Sequence, residues 1–195
     1  IQKDKIKVIY HFANEPEVPK CKKISKNIMY AGNLGTPQNI ESFIDTLSKS
    51  RKNYKLTIFG SGSQYENICE LRSPHIEVNS YVSREKLVYL TREIPYALVS
   101  LSSKITVEGF PGKTFDYLKM NKILIGYSHP ESSLAKFIDK FQLGINIDPN
   151  DQDIDIKLNK LEDDSFLEQI YSNISEMNNH FANVNLIVKQ YMELI

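Results

Sequence analysis

The sequence carries no excess of either charge: lysine plus arginine number 24, and aspartate plus glutamate number 24. A neutral chain lacks the basic footprint that nucleic acid or an anionic membrane surface attracts, so neither is expected as a partner. No apolar run approaches the roughly 20 residues that span a bilayer, and no signal-peptide pattern is present. Cysteine is scarce. Cys21 and Cys69 stand alone without CxxC spacing, the usage of two reduced thiols in a cytoplasmic protein. Internal repeats and low-complexity tracts are absent, and so is an initial methionine. A chain that opens on Ile1 is expected to be a piece of something longer.

What remains is the composition of a soluble globular protein, with 195 residues, 41% of them hydrophobic and 25% charged. A short strand-like run, "IKVIY" (6–10), leads into a charged, proline-containing linker over residues 11–27, and the main domain is expected over 28–195. There a regular alternation begins. "NIMYAG" (27–32), "YKLTIFG" (54–60), "HIEVNSYV" (75–82), "YALVSLS" (96–102), "KILIGY" (122–127) and "LGINID" (143–148) are strand candidates.

Helical spacing lies between them. Ile40, Phe43, Ile44 and Leu47 recur at i, i+3, i+4 and i+7, and Leu134, Phe137, Ile138 and Phe141 repeat the pattern. Ser83, and Ser132 or Ser133, stand where N-caps belong. Two more helical patterns follow, Leu167/Ile170/Tyr171/Ile174 and Val184/Ile187/Val188/Tyr191, and the acidic stretch 148–165 reads as a surface connection. Strands separated by helix-length segments imply βαβ units: an α/β, doubly wound parallel sheet of Rossmann-like type with C-terminal helices.

Within "GFPGKTFDYL" (109–118), Gly112-Lys113-Thr114 looks like the end of a phosphate-binding P-loop. It is not one, because GxxxxGK[ST] requires a glycine where this chain has Val107, and the segment follows the fourth strand of the alternation. The chemistry survives the failed motif. Ligands bind at the carboxyl ends of parallel strands, where a helix start offers unpaired N–H groups and positive potential. Gly112 allows close backbone approach, Lys113 adds a charge and Thr114 a hydroxyl. The alternative is that these residues only shape a helix start. Two further strands end in glycine loops, Gly32-Asn33-Leu34-Gly35 and Gly60-Ser61-Gly62, and three such loops on one sheet edge would line one crevice. Tyr65 replaces the third glycine of a dinucleotide fingerprint, which argues against an NAD site.

Taken together, "YAGNLG", "LTIFGSG", "IEVNSYVSREKLVYL", "YALVSL", "EGFPGKTFDYLKMNKILIGY" and "ESSLAKFIDKFQLGI" resemble, in order and spacing, the C-terminal donor-binding half of a bacterial GT-B glycosyltransferase, retaining surface-polysaccharide type, over about residues 24–147. The resemblance implies a nucleotide-sugar-binding domain over 28–195, an interdomain linker before it, and an N-terminal acceptor-binding half outside this chain. It implies a UDP-sugar donor, a saccharide or lipid-linked acceptor, no metal, and cytoplasmic work at the inner membrane face through the other half alone.

Position by position, it places Asn33, Leu34 and Gly35 at the diphosphate and Gly60, Ser61 and Gly62 along the nucleotide. Tyr81 and Val82 fall at the base, and Pro111, Gly112, Lys113 and Thr114 at the diphosphate. Glu108 and Asp116 match an E-x7-E pair with aspartate second, Asp116 at the ribose and Glu108 near the donor sugar; a surface charge pair is the other reading. Glu108 and Lys113 are the expected catalytic residues. The first loop, "GNLGTPQN", departs from the family by carrying no arginine or lysine. Lys113, in the P-x-K element Pro111-Gly112-Lys113, is left with that work, unless a base from the other half shares it.

Asp151-Gln152-Asp153 has the letters of a divalent-cation motif but lies in a polar connection, and His11 and His75 read as structural. A sugar-nucleotide epimerase of the same architecture is the alternative enzyme, and a partner subunit that kept the fold without the chemistry is the alternative outside catalysis.

Overall fold

The computed structural model describes residues 18–21, 25–102, 110–151, 153–181 and 192. The strand-like run at 6–10, His11, Glu108, Gln152 and the pattern from Val184 to Tyr191 lie outside the described residues.

Among the described residues, six parallel strands form one sheet: β1 (Asn27–Asn33), β2 (Lys55–Ser61), β3 (Ile76–Ser80), β4 (Tyr96–Ser100), β5 (Ile123–Tyr127) and β6 (Gly144–Ile147). Their order is β3-β2-β1-β4-β5-β6. The chain builds outward from β1 to one edge and then returns to build the other. With right-handed crossovers, that reversal requires helices on both faces. The helices are α1 (Ile40–Ser48), α2 (Tyr65–Glu70), α3 (Arg84–Thr91), α4 (Lys113–Lys119), α5 (Ser133–Phe141), α6 (Ile154–Asn159) and α7 (Asp164–Phe181). Every residue of β4 and β5 is buried, as strands covered on both faces must be.

The local signals work as their chemistry dictates. In α1, Ile40, Phe43, Ile44 and Leu47 are all buried. Ser83 accepts from the Lys86 amide to cap α3, and Ser132, not Ser133, accepts from the Ala135 amide to cap α5. Helix α3 is thinly packed: Thr91 is its buried residue, and Leu90 is exposed. Its carboxyl end is closed from outside by Lys122, whose buried ammonium donates to Thr91 O (2.7 Å) and Ile94 O (2.8 Å).

One expectation is overturned. The acidic stretch 148–165 is not merely a surface connection: it contains α6 and a 3-10 turn, with Ile154, Leu158 and Leu161 buried. Their spacings of four and three make a helical stripe that the flanking acids mask. Val18 and Cys21 also pack on the domain, and Asn121 Nδ2 donates to Val18 O at 2.5 Å. Among the described residues, no helix is long and apolar enough to cross a membrane.

Candidate functional site

The reversal of strand order puts a crevice between β1 and β4 at their carboxyl ends, the place where doubly wound sheets take ligands. The sheet parts there. Strand β1 pairs with β2 through seven positions, from Asn27↔Lys55 to Asn33↔Ser61, but its register with β4 covers only Ile28↔Tyr96 and Met29↔Ala97. Side chains from α4 take over. The Ala31 amide donates to the Tyr117 hydroxyl (2.8 Å), which donates to Ala31 O (3.0 Å), and Lys113 Nζ donates to the same oxygen (3.0 Å). Lys113 and Tyr117 are one helical turn apart, so both reach one peptide group. Farther out, the Ser102 amide donates to Pro37 O at 2.8 Å and ties the end of β4 to the first loop.

Lys113 brings an ammonium to this crevice. Its ammonium lies 4.0 Å from the centroid of the Tyr30 ring, within cation–π range. Burial pulls its pKa down to about 8, against the opposing pull of the Asp116 carboxylate. Asp116 in turn lies 3.6 Å from the Arg84 guanidinium at the start of α3. Gly32, at φ +139°, leaves room for the amine, since a Cβ there would run into Lys113 Nζ. Burial pushes the Tyr117 phenol far above its ordinary range, which keeps it protonated and able to donate.

The first two glycine loops form one unit. The Leu34 amide donates to Ser61 O (2.8 Å), and the Gln64 amide donates to Leu34 O (2.9 Å). Leu34's side chain is fully buried, so this residue seats the loop and turns no polar group outward. Gln38 Oε1 accepts from the Gly35 amide (3.2 Å) and from Asn33 Nδ2 (3.3 Å), and the Tyr30 hydroxyl donates to Asn33 O (2.6 Å). Gly60 and Gly62 are explained by this contact: a Cβ on either would overlap backbone of the first loop, at Gly32 O and Leu34 O respectively. Gly112 differs. It has ordinary helical φ and ψ (−57°, −31°), and among the described residues nothing stands where its Cβ would be.

Lys113 and the Gly32–Gly35 loop are therefore together, with Pro111, Gly112, Thr114 and Asp116 around the first turn of α4. The Thr114 hydroxyl is buried and has no hydrogen-bond partner among the described residues. Tyr81 is exposed, and with Val82 it follows the edge strand β3, separated from β1 by β2. Glu108 lies outside the described residues. His75 is exposed at the amino end of β3, away from the carboxyl ends that form the crevice. Asp153 caps α6 by accepting from the Asp155 amide, and Asp151 accepts from the Asp148 amide. Among the described residues, no three His, Cys, Asp or Glu gather as a metal site. Sequence reasoning missed Tyr30 and Tyr117. The available signal was that a tyrosine at a core position needs a partner for its hydroxyl.

Neither a protein-family model nor a curated protein matches the sequence. Solved structures do match. The apo form of the lipopolysaccharide outer core galactosyltransferase WaaB superposes with a TM-score of 0.71 at 18% identity, covering 98% of this chain and 55% of WaaB. The C-terminal domain of the group 1 family glycosyl transferase LpcC from Francisella tularensis gives 0.58 at 14% identity, over 90% of this chain and 97% of that domain. This is the fold of a GT-B C-terminal domain. Anabaena HepE, solved in complex with UDP, gives 0.67 at 13% identity, covering 86% of this chain and 48% of HepE. The chain thus spans about half the length of WaaB and of HepE.

Proposed function

We propose that this chain is the donor-binding half of a glycosyltransferase, transferring a sugar from a UDP-sugar to a saccharide or lipid-linked acceptor in surface polysaccharide synthesis. The observation that carries the reading is the position of Lys113, a partly dehydrated ammonium lodged against Gly32 at the switch-point crevice. An ammonium has three N–H groups. Ala31 O takes one, the Tyr30 ring covers another direction, and the third serves a phosphate oxygen. HepE, of the same fold, was solved with UDP, which supports that donor base.

In this reading Asn33, Gly35, Pro111, Gly112, Lys113 and Thr114 seat the diphosphate, and Leu34 holds their loop. Gly60, Ser61 and Gly62 wall the nucleotide, Tyr81 and Val82 meet the base, Asp116 takes the ribose and Glu108 the donor sugar. The sugar C1–O bond to the diphosphate breaks with its electron pair left on phosphate. The acceptor oxygen forms the new bond and gives its proton to a base of an N-terminal half. Lys113 stabilises the growing negative charge, with no metal required. Residues 28–195 form the domain and 1–27 lead to that half, which makes any contact with the inner membrane face from the cytoplasm.

Calorimetric titration with UDP, GDP and ADP, each with EDTA and with Mn2+, tests the reading. Selective binding of UDP in EDTA is expected; failure of all three, also in a protein carrying an N-terminal half, would sink it. A non-catalytic partner subunit is the second reading. It is favoured by the absence of arginine and lysine from "GNLGTPQN", and that failure is the result it requires.

A further inference from the structure

At most positions a core tyrosine next to a sheet needs no function. Tyr117 is different because of which peptide it holds. Beyond Met29↔Ala97 the β4 ladder ends, and an open crevice would leave the Ala31 N–H and C=O to water. The Tyr117 hydroxyl serves both, accepting from one and donating to the other. Its single proton is committed by the geometry of that one residue. Lys113 rests on the same carbonyl oxygen. The next residue is Gly32, at φ +139°, whose missing side chain puts no brake on rotation of the peptide that carries this oxygen.

We infer that Tyr117 is a positioning residue for Lys113: by pinning both polar groups of Ala31 it fixes the perch from which the lysine meets a diphosphate. The inference rests on the donor-site reading above. Without the hydroxyl, the Ala31 N–H has no acceptor, the peptide before Gly32 turns or takes in water, and the ammonium moves out toward solvent. The ring packs as before. Groups that act on Lys113 come from each neighbouring element: Tyr30 on β1, Asp116 and Tyr117 on α4, and Arg84 on α3 through its pair with Asp116.

The experiment compares wild type, Tyr117→Phe, Lys113→Met and the double variant, each checked for cooperative melting. Its first arm needs no ligand. The Lys113 ε-methylene is titrated by NMR, and Tyr117→Phe is expected to move the midpoint from about 8 upward, toward the ordinary lysine value of roughly 10.4. An unmoved midpoint overturns the positioning role, whatever the protein binds. The second arm measures UDP affinity, with ligand-observed NMR for the weak variants. Tyr117→Phe is expected to lose about 5- to 20-fold, and the double variant to bind no more than twofold weaker than Lys113→Met, the signature of two residues acting as one unit.

An equal loss on both backgrounds would mean that Tyr117 supports the fold alone, and the inference fails. A moved midpoint with UDP binding indifferent to Lys113→Met leaves the positioning standing and removes the donor-site reading. Should the phenylalanine chain melt too low, the titration is run in trimethylamine N-oxide, which stabilises the fold without touching the hydroxyl.

Discussion

The Lys113 ammonium and the Tyr30 ring stand 4.0 Å apart, ammonium to ring centroid, so a residue of the fourth helix is held over the first strand of the sheet. The two sequence segments are far apart, and the doubly wound order makes them neighbours. Held this way, the lysine has lost much of its water and has gained one carbonyl and one π face in exchange. Such a cation gains most from an incoming anion. Lys113→Ala is expected to weaken diphosphate binding by about 1.5–3 kcal/mol, the range of a charge-assisted hydrogen bond. Calorimetry with UDP reads this directly, and an unchanged affinity in a folded variant removes Lys113 from the site.

The same displacement from water fixes a pH dependence. The folded-state pKa of Lys113, about 8, lies below the value of roughly 10.4 in an unfolded chain. Between those two values the unfolded chain binds more protons, so the Lys113 contribution to stability rises with pH across that window; below about 8 the penalty is fully present. Lys113→Met is therefore expected to stabilise the protein at pH 7 by about 1–3 kcal/mol, a gain that fades toward pH 10. Diphosphate affinity is expected to run the other way, falling as pH rises through 8 in wild type and staying flat in the variant. Melting curves and titrations at several pH values check both signs.

Most of the scaffold was readable because it depends on period and punctuation. Ile40/Phe43/Ile44/Leu47 and the cap Ser83 needed only local rules, while the choice of Ser132 over Ser133 needed the structure. The crevice was readable as a place, since strand ends in a parallel sheet share an edge. The contacts across it were not. Tyr117 pairing with Ala31, and Lys113 lying on Tyr30, depend on β4 parting from β1 after two positions, and no pattern along the chain encodes where a ladder stops. The structural reason for Gly60 and Gly62 was hidden for a related reason. They suit a ligand-facing loop, yet the nearest thing to their missing side chains is the backbone of the first loop.

Helix α6 tests the one stretch whose character was hidden by its charges. Leu158 is fully buried there, between acids and lysines that would place it on a surface by composition. Leu158→Ala is expected to destabilise the protein by about 2–4 kcal/mol, the range for a buried leucine, against a few tenths for a residue of a surface connection. Urea denaturation separates the two.

Two glycines make the sharpest contrast between scaffold and site. At Gly60 a Cβ would overlap Gly32 O, a backbone atom that cannot step aside, so Gly60→Ala is expected to destabilise by at least 1–3 kcal/mol, in the range of an overpacked core. At Gly112 the backbone is ordinary helix, and no described residue fills the space beside it. Gly112→Ala therefore leaves stability within about 0.5 kcal/mol. Among the described residues nothing requires a glycine there, so a requirement for one would come from what approaches. A diphosphate lying against the start of α4 would meet the new methyl group, and UDP affinity is expected to fall while the melting temperature holds. Unchanged affinity in Gly112→Ala, beside a loss in Lys113→Ala, would keep the lysine in the site and move the phosphates away from this turn.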